Sequence, residues 1–526
     1  MIVTAHGATY VWQGSFDERA IPEQAGFEWC EPGSWQTQRH GIAAKMSAYF
    51  DPSARALADR AIESAAIGSD FEVPTNRGNV FLPYQRAGVS TLASRLTRGI
   101  NGLLADEMRL GKSIQTIGVI NVLHDIFSVI IVCPATLKLD WKAKLELWLT
   151  TPSMTVGIVW PDTTELPKTN IIIVNYDLLH RWVWPGVDLL VVDEAHLCKN
   201  PKARRTKKML AMRATHKLYL TGTPALSRPM ELYPLIKSLD PKNWPTLGAF
   251  GVRYCGGFVD ERGWNFEGAS NLEELHDRLR ATIMVRRLRS EVWKDLPLVR
   301  REIIELPLDG GPARRAVKQD AELQSEIKSY EDTVDGLRAG QRVAFERGSL
   351  VRHETALAKI PQLVEAIVEA MEEETKIVVF GWHVDVIQAL VTAVSEAGFG
   401  VCAITGETPV ADRMNIENVF RTDDRYRVFI GNMAAAGVGM DLSVASRVIF
   451  AELDWVPGVI KQAEDRCQHP SKRDTILVQH YVLDGSIDAN MARALVRKQD
   501  ILDRTLDGKV DDKPLDISEV FCDIKA

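Results

Sequence analysis

The chain has 526 residues, 46% apolar and 25% charged, which suits about three globular domains and argues against long disordered tracts. Its 63 basic and 70 acidic residues leave a net charge of −7, so there is no general basic coat, and any contact with nucleic acid must come from local stripes. Seven scattered cysteines with no Cys-x-x-Cys pair argue against a disulfide scaffold or structural zinc and point to a reducing compartment. Met1-Ile2-Val3-Thr4 lacks the basic flank and apolar core of a signal peptide, and no apolar run approaches the ~20 residues of a membrane span. A soluble, cytoplasmic, non-secreted protein is expected.

Residues 1–70 read as a small α+β module. Thr9–Trp12 and Gly26–Trp29 are short aromatic runs, and Glu31-Pro32-Gly33-Ser34 forms a turn before Trp35, which predicts a β-hairpin. An Ala-rich helix over Arg55–Ala66 follows. Trp29 and Trp35 suit two roles equally, gripping bases by stacking or pairing across strands in the hairpin core.

From about Asn76 the pattern becomes short apolar runs spaced by helical stretches. The runs are Ser128–Cys133, Asn170–Val174, Asp188–Val192 and Lys217–Leu220, then Lys376–Phe380, Val401–Ile404, Arg427–Ile430, Arg447–Phe450 and Ile476–Val482. Runs apolar on both faces suit parallel strands covered by helices, and the strand–helix alternation predicts doubly wound α/β folding. Gly310–Glu374 has no such run, and Gln319–Lys328 and Pro361–Glu374 read as helices. The expected division is a first lobe over 71–305, a helical linker over 306–365 and a second lobe over 366–526.

Three segments carry chemistry. Leu103–Ser113 places Gly111-Lys112-Ser113 after a strand end and before a helical pattern, the context in which helix N–H groups, a lysine and a hydroxyl meet phosphates and Mg²⁺. The strict phosphate-loop pattern fails at its first Gly, where Asp106 stands, and an ordinary helix N-terminus fits the segment equally well. Leu189–His196 puts Asp193 and Glu194 directly after a buried strand, at the carboxyl edge where α/β sheets hold ligands. One carboxylate suits the metal and the other the attacking water; alone, the pair reads as a solvated strand end. Gln462–His469 brings a cation, Arg466, that suits an arginine finger or a charged helix face.

Taken in order, these segments make the chain resemble the Snf2 family of helicase superfamily 2, and within it the HepA-related annealing-helicase (HARP) branch. Leu82–Val89 resembles the family's adenine-recognising segment, Asp106–Ser113 motif I, and Val132–Leu137 with Trp141 motif Ia. Asp193–His196 is the DEAH form of motif II, and Leu220–Pro224 matches motif III. Ala225–Tyr233, Phe250–Cys255 and Met284–Arg289 are the runs that point to the annealing branch. Lys376–Trp382, Gly437–Leu442 and Gln462–Arg466 resemble motifs IV, V and VI. The resemblance extends from Leu82 to Ile501, and the spacing of residues 27–35 resembles the DNA-grasping modules that precede the motor in that branch.

The resemblance implies two RecA-like doubly wound parallel-sheet lobes with helical insertions, and ATP and Mg²⁺ as cofactors. It implies a monomeric motor on duplex or forked DNA that remodels or anneals branches in replication, repair or recombination. Replication or single-strand-binding proteins would be its partners, a bacterial or phage-infected cell its setting. Lys112, Asp193, Glu194 and Arg466 become catalytic. Gln85, Asp106, Arg109, Gly111, Lys112, Ser113, Gly439, Asp441, Arg466 and His469 become the ATP contacts, with Ser113 and Asp193 on the metal. DNA contacts fall at Pro134, Thr136, Asn175, Tyr176, Thr405, Gly406, Ala434, Gly437, Arg286 and Arg287, and coupling falls to Thr221, Gly222 and Thr223. The basic runs Lys202–Lys208 and Arg286–Arg289 read as DNA-facing stripes or as solvated helix faces. A strand-separating helicase and an ATP- and DNA-binding scaffold with weak turnover are the alternatives. Two departures bear on turnover: Arg109 stands where the family has Gly, and His469 where it has a second motif VI arginine.

Overall fold

The computed structural model describes residues 2–14, 18–30, 34–76, 78–222, 228–260, 263–293, 299–308, 310–329, 334–433, 440–454, 457–468, 475–486 and 488–489. They divide into two compact units between Lys294 and Asp295.

The first unit opens with a four-stranded antiparallel sheet of β1 (Ile2–His6), β2 (Thr9–Gln13), β3 (Glu28–Cys30) and β4 (Ser34–Thr37), in the order β1-β2-β4-β3. The expected hairpin is the β3–β4 pair, and its turn at 31–33 lies outside the described residues. Helix Pro52–Glu63 backs the sheet; the Asp51 carboxylate caps it by accepting the Ala54 N–H at 2.7 Å, with Pro52 at the position that needs no N–H donor. Val3, Tyr10, Trp12, Phe27 and Leu57 form the core between them. Trp29 and Trp35 are opposed across the strands, with ring centroids 5.6 Å apart edge-on; Trp35 is partly buried against that core, whereas Trp29 is 58% exposed and lies outside it.

The module is not independent of the lobe behind it. Ala281 completes its core, and Arg95, almost fully buried, donates to the carbonyls of Arg60, Arg280 and Met284 at 3.0–3.1 Å. A buried guanidinium is costly unless its donors are satisfied, so these three carbonyls bind the module's helix to that lobe. The boundary expected at residue 70 therefore runs through one continuous unit.

The first unit's main sheet has seven parallel strands. These are β5 (Gly102–Leu104), β6 (Val129–Cys133), β7 (Val156–Ile158), β8 (Ile171–Asn175), β9 (Val187–Asp193), β10 (Ala214–Leu220) and β13 (Met284–Val285), in the order β13-β5-β10-β9-β6-β8-β7. Every residue of β6 and β8 is buried, as unbroken Ile/Val runs require when helices cover both faces. Between β10 and β13 a short antiparallel hairpin, β11 (Phe258–Asp260) and β12 (Gly263–Asn265), is inserted.

The second unit holds six parallel strands: β14 (Val299–Leu306), β15 (Ile377–Gly381), β16 (Gly400–Ile404), β17 (Tyr426–Asn432), β18 (Arg447–Phe450) and β19 (Ile476–Leu483), in the order β14-β19-β18-β15-β17-β16. β14 pairs with β19 along its whole length, so residues 299–305, expected in the first lobe, belong to the second. The helices Gly310–Ser329 and Val334–Glu373 are likewise part of this unit, not a free linker. Ala313, Ala356 and Leu363, from the expected linker, pack into the same core as Ile377 and Val379.

Candidate active site

Strand register assembles the first unit's motifs. β10 lies between β5 and β9, with Leu220 level with Leu104 on one side and Asp193 on the other. At about 4.8 Å between neighbouring strands, the chains leaving β5, β10 and β9 emerge in a row about 10 Å wide. The phosphate-loop segment, Thr221-Gly222 and Asp193-Glu194 thus share one stretch of the sheet's carboxyl edge. The Thr221 N–H donates to the Leu104 carbonyl at 3.1 Å, and the Thr221 hydroxyl meets Nδ1 of His196 at 3.0 Å. That link joins the segment expected to couple with the one expected to hydrolyse.

The loop turns into helix Lys112–Val122 through two left-handed residues, Arg109 at φ 69° and Gly111 at φ 76°. Such turns present successive backbone N–H groups in a concave nest that suits an anion in front of a helix N-terminus. The Lys112 ammonium donates to the carbonyls of Asp106 at 2.9 Å and Glu107 at 3.3 Å. Gly222 is required beside it, because a Cβ there would stand 2.7 Å from the Met108 side chain and 3.2 Å from the ammonium. Gly111 is doubly constrained: beyond its φ, a Cβ would lie 2.5 Å from Nε2 of Gln85. Gln85 itself is buried, and its Oε1 accepts the Leu82 N–H at 2.9 Å, capping helix Pro83–Thr97 against the loop. Ser113 is half-buried in the first turn of the loop's helix.

Asp193 and Glu194 are both buried. The Asp193 carboxylate accepts Nε1 of Trp141 at 2.8 Å on one oxygen and the Glu194 N–H at 2.9 Å on the other. Burial first, and the adjacent Glu194 second, push Asp193 up to about 6, while the Trp141 indole and the Lys112 ammonium pull it down. Glu194 sits at φ 51°, a strained setting for a non-glycine residue, with its carboxylate 3.3 Å from Nδ1 of His196. Oxygen ligands from Ser113 and Asp193, a left-handed loop in front of a helix N-terminus and an ammonium fit a nucleotide with Mg²⁺, a hard cation that takes few protein ligands.

Several expected contacts change meaning. Asp106 and Arg287 are 0% and 1% exposed and form an ion pair at 2.5 Å, so neither is placed for ATP or DNA. Arg286 is also buried, donating to the carbonyls of Ala105 at 2.6 Å and Gly222 at 3.3 Å. The Arg286–Arg289 run is neither a DNA-facing stripe nor a solvated face, because its charges are spent on the phosphate loop. Lys202–Lys208 is the opposite case, with Lys202, Arg204, Arg205, Lys207 and Lys208 all exposed. Pro134 and Thr136 are half-exposed at the end of β6. Asn175 and Tyr176 face inward instead: Asn175 accepts from the Lys138 ammonium at 3.2 Å, and the Tyr176 hydroxyl donates to the Asp193 carbonyl at 2.5 Å.

In the second unit, Thr405 and Gly406 form a turn at the end of β16, held by Arg413, which reaches the Thr405, Gly406 and Thr408 carbonyls at 3.0–3.4 Å. The Asp441 carboxylate accepts the Ser443 N–H at 3.2 Å and lies 3.4 Å from Arg421. The Leu442 N–H donates to the Arg466 carbonyl at 2.9 Å, which brings the expected motif V and VI segments together. Arg466 is buried in a short turn after helix Pro457–Glu464. That helix end is fixed by Arg301 of β14, whose Nε and Nη2 hold the buried Glu464 carboxylate at 2.6–3.1 Å. Thr223, Ala434, Gly437, Gly439 and His469 lie outside the described residues.

Sequence reasoning gave Arg287 to DNA rather than to Asp106, and missed Trp141 as a partner of Asp193, and Arg301. A Trp near the expected motif Ia was the only trace of the second. The other two pair with carboxylates more than 150 residues distant in the chain.

The SNF2-related domain family matches residues 84–329, and the helicase conserved C-terminal domain family matches residues 358–470. The chain is 34% identical over 462 residues to the mouse "DNA annealing helicase and endonuclease ZRANB3", covering 84% of this chain and 42% of that protein. It is 32% identical over 426 residues to a Xenopus tropicalis "SWI/SNF-related matrix-associated actin-dependent regulator of chromatin subfamily A-like protein 1", covering 79% and 44%. The chain thus spans less than half the length of these two relatives. Among solved structures, a Sulfolobus solfataricus SWI2/SNF2 ATPase core in complex with dsDNA aligns at 22% identity and a TM-score of 0.41, over 82% of this chain and 94% of that one.

Proposed function

Because the chain belongs to the Snf2 family, in its HARP-related branch, we propose that it is a DNA-dependent ATPase that translocates on duplex DNA and remodels or anneals forked and branched substrates. The observation that carries this reading is the register of Leu104, Leu220 and Asp193, which sets a phosphate-type loop, a hydroxyl-bearing link and a carboxylate pair along one sheet edge. Bound ATP with Mg²⁺ supplies the phosphoryl group to be transferred and the metal charge beside it. Lys112 neutralises β/γ charge, and Ser113 and Asp193 take the metal side. Glu194 orients the attacking water and accepts its proton, and Arg466 keeps the arginine-finger role that the resemblance implies. The His196–Thr221 contact passes the state of the carboxylate pair to the strand end of β10. Gly439, Asp441 and His469 complete the nucleotide contacts in this reading, and Thr223 the coupling segment.

DNA is gripped through phosphates at Pro134 and Thr136 and at Thr405 and Gly406, turns that lie at strand ends. The exposed Lys202–Lys208 face adds local positive charge to a chain of net −7. Ala434 and Gly437, outside the described residues, are assigned DNA contacts by the resemblance alone. Phosphate contacts carry no sequence information, so binding is base-independent and weakens with salt. The exposed Trp29 offers a stacking face for unpaired bases. Replication or single-strand-binding proteins as partners, a monomeric motor, and a cytoplasmic setting in a bacterial or phage-infected cell belong to the same proposal.

The test is phosphate release with and without duplex and forked DNA. Wild type should be DNA-stimulated, Lys112→Ala should lose ATP binding, and Glu194→Gln should bind ATP yet release no phosphate. Equal turnover by wild type and Glu194→Gln in saturating DNA would sink the assignment.

A further inference from the structure

A buried arginine that the expected motifs assign to DNA is built instead into the back of the phosphate loop. The chain leaving β13 runs alongside the loop: the N–H groups of Ala105 and Glu107 donate to the carbonyls of Val285 at 2.8 Å and Arg287 at 3.1 Å. Arg287 then closes on Asp106 with three donors, its backbone N–H at 3.0 Å, Nε at 2.9 Å and Nη2 at 2.5 Å. A fourth donor, Nε2 of Gln115 on the loop's own helix, reaches the same carboxylate at 2.9 Å, and Nη2 of Arg287 returns to the Gln115 oxygen at 2.7 Å. Nη1 of Arg287 donates to the Tyr84 carbonyl, one residue before Gln85. One side chain therefore binds the loop, its helix and the adenine-side helix. The Arg289 N–H extends the strap by donating to the Glu107 carboxylate at 2.6 Å.

An independent feature marks how tightly this network is fitted. Gly88, on helix Pro83–Thr97, faces it directly, and a Cβ there would stand 2.0 Å from the Gln115 oxygen and 2.5 Å from Nη2 of Arg287. The helix must lack a side chain at that point for the network to exist. A carboxylate at Asp106, where a strict phosphate loop has glycine, is useful only if such a cation meets it.

We propose that Arg287 is a positioning residue for nucleotide binding: by anchoring Asp106, Gln115 and the Tyr84 carbonyl together, it holds the loop N–H groups and Lys112 in the geometry that receives phosphates. This rests on the nucleotide reading of the loop. Phosphate binding by backbone donors depends on their being pre-set, so a loosened loop loses affinity even though no ligand contact is removed. Lysine at 287 keeps the charge but lacks the fork that serves three partners in different directions.

The experiment titrates full-length protein with a fluorescent, non-hydrolysable ATP analogue and Mg²⁺, well below the melting temperature of each variant, with duplex affinity measured in parallel. Arg287→Lys and Gly88→Ala should each bind the nucleotide on the order of tenfold to a hundredfold more weakly, with duplex affinity unchanged. Gly88→Ala leaves both charges in place and decides the matter if Arg287→Lys does not fold. A Gly88→Ala protein that melts earlier but binds nucleotide as wild type does would overturn the proposal, since a purely structural role predicts that outcome. Lys112→Ala separates the two readings: if it loses nucleotide while the other variants retain it, the nucleotide site stands and the positioning role falls. A wild type that binds no nucleotide removes both.

Discussion

Replacing Arg109 with glycine and, separately, with alanine tests whether the phosphate loop holds a left-handed residue against its preference. At φ 69° the Cβ of Arg109 crowds the backbone carbonyl after it, a cost of about 1–2 kcal/mol for an L-residue. Arg109→Gly removes that cost but adds freedom to the unfolded chain, which offsets about 0.4–1 kcal/mol. The net expectation is a gain of roughly 0.5–1 kcal/mol for glycine over alanine. Both variants lose the same guanidinium, so their difference isolates the backbone, while alanine against wild type isolates the side chain. In a unit of this size such a difference moves a melting midpoint by about 1–4 °C. The assay is thermal melting without nucleotide, following the first unit by hydrogen exchange in residues 105–113, since two units need not melt as one. Glycine should melt above alanine, and its loop amides should exchange more slowly. Coincident melting and exchange for the two variants would refute the strain and remove the physical reason for expecting glycine at this position.

Two further outcomes concern buried titratable groups. In the proposed site, protons would compete with Mg²⁺ for the charged form of Asp193, so metal-dependent nucleotide binding should fall as pH drops through about 6. Trp141→Phe removes a donor to that charged form, which should move the fall upward by about 1–2 pH units; magnesium titrations across the neutral range that superimpose for both proteins would count against it. Burial lowers His480 to about 4, so from about 6.5 down to about 4 the unfolded chain binds a proton that the fold refuses. Stability of the second unit should therefore decline by about 3 kcal/mol as pH falls through that window. His480→Gln should flatten the slope in urea unfolding, and an unchanged slope would show the titration lies elsewhere.

How much of this was legible in the chain depends on which forces act locally. All nine expected strands occur, because a strand buried on both faces must be a continuous apolar run. β13 was beyond reach, being two residues long and held by pairing with β5 rather than by pattern, whereas β5 was legible only as the strand end before the phosphate-loop segment. β14 escaped for another reason: Val-Arg-Arg-Glu-Ile-Ile-Glu-Leu is charged at half of its positions and so has no continuous apolar run, and only its pairing with β19 reveals its sheet. The hairpin in the front module was readable from its aromatics and turn, whereas its attachment to the lobe rests on Arg95, whose three carbonyl partners carry no mark in the sequence.

The candidate site divides along the same line. Gly111, Lys112, Asp193 and Glu194 were recognisable because phosphate chemistry demands those groups next to a strand end, and register then aligned them. The departures from pattern were harder, and the two in the phosphate loop have different physics. Arg109 keeps the left-handed backbone that glycine would adopt freely, so its cost is local and should vanish with one substitution. Asp106 replaces a glycine with a buried charge, which survives only because Arg287, 181 residues on, meets it. A basic run is ordinarily a solvated face, and nothing near Arg286–Arg289 says otherwise. The sign that it is interior is the carboxylate inside the loop, where a lone charge could not remain buried. Asp106 without a local partner and Arg287 without an outward role each account for the other, and Gly88 records the space their union requires.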